Sequence, residues 1–74
     1  MSLLDIVLEH EATGSSRCDD MLGFVQMPDG YALMLNPDRT HFYWLNEDGV
    51  ESCIHWDKWA MYRGAKQHKE AGAA

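Results

Sequence analysis

Four histidines and two cysteines are the residues of this chain best suited to chemistry: His10, His41, His55, His68, Cys18 and Cys53. A metal site would need them at short, repeated spacing, and no pair shows the Cys-x2-Cys or His-x3-His pattern. On a strand, His41, Cys53 and His55 would share one face, so three ligands converging is conceivable, but ordinary surface side chains explain the same spacing. Cys53 and His55 stand two apart and would lie side by side, the arrangement of a thiol nucleophile and its base. Nothing nearby supplies an oxyanion hole, and one small sheet makes poor pockets. No glycine-rich phosphate loop is present, since Gly64 and Gly72 are isolated. The expectation is a chain without catalysis, cofactor or metal.

The elements that would position such groups follow from turn chemistry. "MPDGY" at 27–31 is a Pro-Asp-Gly turn, "NPDR" at 36–39 a second and "NEDG" at 46–49 a third. The runs "MLGFVQM", "YALMLN", "THFYWL" and "VESCIHW" around them are six or seven residues long and rich in aromatic or branched side chains. They predict a four-stranded antiparallel meander. Before it, "SLLD" carries a capping pattern from Ser2 to Asp5 and predicts a helix over 3–12, with a strand as the rival reading because Leu4, Ile6 and Leu8 also alternate. After it, Asp57 is a good N-cap for a C-terminal helix whose far end collects Arg63, Lys66, His68 and Lys69. Gly64 weakens that helix or permits close packing. The fold class is α+β: N-terminal helix, four-stranded antiparallel β-meander and C-terminal helix packed on the sheet. Residues 1–70 form one domain and 71–74 a flexible tail.

Strand parity sorts the side chains into two sets. Leu22, Phe24, Leu33, Leu35, Phe42, Trp44, Val50, Ile54 and Trp56 form the heavier set and the expected core. Val25, Met27, Ala32, Met34, His41, Tyr43, Glu51, Cys53 and His55 form an amphipathic set. That second face is either covered by its own helix, giving three layers, or exposed for a partner. The exposed arrangement places Met34, His41 and Tyr43 on a binding surface, because aromatic residues and Met are enriched at interface centres.

Charge completes the functional reading. The net charge is −6, but residues 1–57 hold eleven acids and two bases, and residues 58–74 hold four bases and one acid. The acidic body opposes direct binding to nucleic acid, whose phosphates call for Lys and Arg. It favours basic surfaces, including those that normally hold nucleic acid. Asp29, Asp38, Glu47 and Asp48 fall in the turns and are the candidate steering residues. In size and composition the chain is similar to small phage-encoded inhibitors of the anti-CRISPR kind, a likeness with no motif beneath it. The expected function is a non-enzymatic interaction protein that occludes a larger protein partner, as an inhibitor, an adaptor or a nucleic-acid mimic, with a homodimer as a further option. The alternative is a nucleic-acid-binding or regulatory module working through the basic C-terminal helix. The apolar N-terminal run is broken by Asp5 and Glu9, so neither a signal peptide nor a membrane span is expected, and the expected location is the cytoplasm, a host's if the protein is viral.

Overall fold

A computed structural model of the protein describes residues 2–72. Helix α1, Leu3–Ala12, opens with the capping box read from the sequence. The Asp5 amide donates to Ser2 Oγ at 3.3 Å, and the Ser2 amide donates to an Asp5 carboxylate oxygen at 3.4 Å. Three strands follow: β1 (Ser16–Arg17), β2 (Tyr31–Leu35) and β3 (Phe42–Asn46), ordered β1-β2-β3 and antiparallel throughout. Helix α2, Lys58–Gly72, starts where the Trp59 amide donates to the Asp57 carboxylate at 2.9 Å. It takes in Ala71 and Gly72 of the expected tail, and residues 73–74 lie outside the described residues. No helix among the described residues is long and apolar enough to cross a membrane.

The sheet has three strands, not four, and two of the expected strands are replaced by other structure. Residues 21–27 do not form a strand. A 3-10 turn spans Asp19–Leu22, and the chain then reverses at Gly23, whose φ of 68° and ψ of −122° no side-chain-bearing residue adopts easily. The first strand is instead the polar pair Ser16–Arg17. The last run, "VESCIHW", follows β3 without becoming a regular strand. It touches β3 at two bridges, Leu45 with Glu51 and Phe42 with His55. Between these bridges β3 has two residues and the facing segment has three, Ser52, Cys53 and Ile54, which is a β-bulge. Ser52 bridges the irregularity. Its amide donates to the Trp44 carbonyl at 2.9 Å, and its hydroxyl accepts the Trp44 amide at 2.9 Å.

All three turns form. The Tyr31 amide closes on the Pro28 carbonyl, with Gly30 at φ 83°. Asn36 and Asn46 then do the same work at the ends of β2 and β3. The Asn36 side-chain oxygen accepts the Thr40 and His41 amides, and that of Asn46 accepts the Asp48 and Val50 amides.

Both faces of the β2–β3 pair are covered. Ala65 of α2 packs with Cys18, Leu22, Met27, Tyr31, Leu33 and Trp44 on one face. Ile6 and Val7 of α1 pack with Ala32, Met34, Tyr43 and Leu45 on the other. The domain is therefore a three-layer sandwich, and Met34 and Tyr43, expected on an open face, are core residues. Conversely Phe24, Val50, Ile54 and Trp56, expected in the core, are exposed. The cause is the loss of strand periodicity at Gly23 and at the bulge, beyond which parity no longer assigns faces. Gly64 permits the close approach of α2: a β-carbon there would sit 3.3 Å from Trp44 Nε1. Because each face has its own helix, Trp44→Ala and Tyr43→Ala should both lower stability, each by about 3–5 kcal/mol. Chemical denaturation of the two variants checks this, and a Tyr43→Ala protein as stable as wild type would contradict the two-sided core.

Candidate functional site

Two histidines, His10 and His68, are spent on joining the helices to the sheet. His10 bridges α1 to the sheet: its Nδ1 lies 2.9 Å from the Tyr43 hydroxyl and its Nε2 3.3 Å from the Glu51 carboxylate. Tyr43 in turn donates to Ser15 Oγ at 2.8 Å. The chain Glu51–His10–Tyr43–Ser15 superficially resembles a catalytic relay. The tyrosine stands between the histidine and the serine, however, and Ser15 is buried, so no activated hydroxyl faces solvent. Burial raises the Tyr43 hydroxyl above its ordinary value; the Ser15 bond works against this and the Glu51 charge adds to it. On the other face His68 makes the matching contact, from its Nδ1 to the Tyr31 hydroxyl, with its ring 4.8 Å from that of Trp44.

Among the described residues neither cysteine is hydrogen-bonded to a histidine. Burial pushes the Cys18 thiol up from 9.0 to about 12, with Asp19 and Asp20 adding to the rise and Lys58 opposing it. Cys53 is exposed on the bulged segment. His55 beside it accepts the Asp57 amide on Nδ1 at 2.9 Å, which uses that nitrogen at the entry to α2. Among the described residues no three His, Cys, Asp or Glu side chains are grouped to hold a metal ion.

The register gathers some of the expected steering residues and separates others. Tyr31 pairs with Asn46, so the Pro28–Tyr31 and Asn46–Gly49 turns lie at one end of the sheet. Asp29, Glu47 and Asp48 line one cleft there, beside His68 and Lys69. Glu47 lies across Gly30, where a β-carbon would meet its carboxyl oxygen at 3.1 Å. Glu9 and Glu51 flank Glu47 and Asp48 on the α1 side. Asp38 sits in the hairpin loop at the opposite end of β2 and β3, apart from this group. His41 is half-buried at that same end, with its Nδ1 2.8 Å from the Thr40 hydroxyl.

Sequence reasoning missed the most exposed aromatic residue. Phe24 is fully solvent-exposed at the tip of the 18–30 loop. The φ and ψ of Gly23 are those of the first central position of a type II′ turn, and the Val25 amide closes the turn on the Leu22 carbonyl. The loop is tied to the sheet: the Cys18 amide donates to the Leu33 carbonyl at 2.9 Å, and the Leu33 amide donates to the Asp19 carboxylate at 2.7 Å. Arg17 holds the same carboxylate at 3.0 Å. Asp20 and Asp29 share a cleft with this loop, which joins it to the acidic end of the sheet. The signal was present in "DDMLGF": two aspartates that favour a local turn, then Gly before an aromatic residue in the Gly-x order of a II′ turn.

Raised Cys18 and Tyr43 values predict alkaline sensitivity. Above pH 9 the unfolded chain releases the Cys18 proton that the native chain keeps until about pH 12, so stability falls as pH rises through that window. Denaturation at pH 8, 9.5 and 11 should show this fall, and Cys18→Ala should flatten it over the lower part of the range. Comparison of the chain with known protein families, with curated proteins and with solved structures finds no match.

Proposed function

We propose that this chain is a non-enzymatic interaction protein that binds a larger protein and occludes a basic surface on it. The observation that carries the reading is Phe24: a fully exposed aromatic ring on a loop whose backbone is tied to the sheet on both sides of its base. An exposed aromatic ring contributes nothing to the fold, and rings of this kind act as anchors when a partner supplies a pocket. A loop already fixed in shape loses little freedom on binding, which favours affinity. Asp20 and Asp29 line the cleft beside the neighbouring Gly23 and Val25, and Asp29 also lines the next cleft with Glu47 and Asp48, an acidic setting that would draw in and orient a basic partner.

The test is quantitative retention of proteins from cell lysate on the immobilised wild-type chain, on Phe24→Ala and on the triple variant Asp29→Asn, Glu47→Gln, Asp48→Asn. A specific partner should bind Phe24→Ala at least about tenfold more weakly, since anchors of this kind contribute about 2 kcal/mol or more. The triple variant should bind with less salt dependence. Both variants should melt within a few degrees of wild type, because the altered side chains are exposed. A partner retained equally by wild type and Phe24→Ala would remove the anchor from the reading. Gly23→Ala gives an independent check. It strains the turn by about 1–3 kcal/mol and redirects Phe24, so it should also lose the partner while Phe24 itself remains.

A further inference from the structure

We propose that copies of this chain stack on one another through their two helices, the outward face of α1 docking on the outward face of α2 of a second copy. This goes beyond the binding of a larger partner and rests on the two helix faces, not on the Phe24 ring or the turn carboxylates.

Helix α1 packs on the sheet through Ile6 and Val7, with Leu3 and His10 beside them. Its opposite side presents Leu4 and Leu8, 59% and 52% exposed and one helical turn apart. At 100° per residue, Glu11 falls on one flank of this pair and Asp5 and Glu9 on the other. The outward face of α1 is thus an apolar stripe edged by three carboxylates. Helix α2 packs through Met61, Tyr62 and Ala65 and presents Trp59, Arg63 and Lys66 at i, i+4 and i+7. Trp59 packs edge-on against Tyr62, with ring centres 6.3 Å apart. Below this stripe runs a groove of about 350 Å³, lined by Gln26, Pro28, Tyr62, Lys66, Lys69 and Glu70.

The occupant follows from charge. Helix α1 carries Asp5, Glu9 and Glu11 and no Lys or Arg, a net of −3. Helix α2 carries Lys58, Arg63, Lys66 and Lys69 against Glu70, a net of +3. The pairing within the chain leaves most of this unspent: Arg63 reaches Asp57 only at 3.9 Å, and Lys66 forms no salt bridge among the described residues. In a chain whose net charge is −6, α2 carries four of the six Lys and Arg residues, and α1 is an acidic helix with apolar side chains free to fill its groove. The two helices cover opposite faces of the same sheet, so α1 of one copy meets α2 of the next without closing a pair. Such a contact is heterologous and propagates as a stack.

Sedimentation of the full chain tests this at concentrations up to about 1 mM, the range in which a small contact is populated. In about 10 mM salt, where the Debye length is about 30 Å, the average mass should rise steadily with concentration, and in about 1 M salt it should return to the monomer. Leu8→Lys should block the α1 side alone, and the pair Arg63→Ser with Lys66→Ser the α2 side alone. All three positions are exposed, and circular dichroism should show both proteins folded. Each should be monomeric by itself in low salt. Mixed in equal amounts they should form a one-to-one dimer and nothing larger, because each supplies the face that the other lacks. A monomeric wild type in low salt overturns the proposal. So does either variant stacking alone, or a mixture that stays monomeric. Binding of a duplex oligonucleotide through Arg63 and Lys66 by a monomeric wild type would assign the α2 face to nucleic acid instead.

Discussion

The paired strands β2 and β3 are buried on both sides, and the rest of the molecule follows from that constraint. Leu33 faces Trp44 on one side of the ladder; on the other, Met34 faces Tyr43 and Ala32 faces Leu45. A hairpin that is apolar on both faces cannot stand in water, so it requires one cover for each face. Two helices, each with one apolar stripe, meet that requirement. The polar atoms trapped by this arrangement are satisfied in a parallel way on the two sides. The Tyr43 hydroxyl is hydrogen-bonded to His10 Nδ1 of α1, and the Tyr31 hydroxyl to His68 Nδ1 of α2. Each tyrosine thereby fixes where the helix above it lies, and no buried side-chain polar atom among the described residues lacks a hydrogen-bond partner.

What could be read from the sequence was what depends on local chemistry. The Ser2–Asp5 capping box, the Asp57 cap and the three turns all rest on hydrogen bonds between residues no more than five apart in the chain, and all are present. Tyr31–Leu35 and Phe42–Asn46 were legible as strands from their aromatic and branched content. Which face lay open was not legible, because a strand buried on both sides shows no alternation to read. The strand β1 escaped notice because Ser16 and Arg17 carry no strand signature and pair only through tertiary placement. The bulge at 52–54 was equally silent, since one extra residue leaves composition unchanged and shifts every later side chain.

The same division holds for the candidate interaction surface. Asp29, Glu47 and Asp48 were identifiable as turn carboxylates, but their meeting at one end depends on the pairing of Tyr31 with Asn46, and Asp38 was carried to the other end by the same register. Counting parity through Gly23 places Phe24 inward, and the positive φ at Gly23 makes such counting fail there. The proposed surface joins an exposed aromatic tip to a group of turn carboxylates. The loop beneath it is bound to β2 by a buried backbone contact and a carboxylate, not by apolar packing alone.

The irregular segment alongside β3 also governs what the sheet can do in company. A sheet edge that is long, flat and regular offers unpaired amides and carbonyls to any strand that drifts by, and it seeds aggregation. Here one edge is a strand of two residues, and the other is interrupted by three residues set against two, with Ser52 occupying the hydrogen-bonding groups of Trp44. Neither border gives an incoming strand a run of matched partners. A small protein with nearly half its residues apolar can thus keep its hairpin from templating fibrils, and encounters between molecules are left to side chains, whose geometry and charge selection can tune.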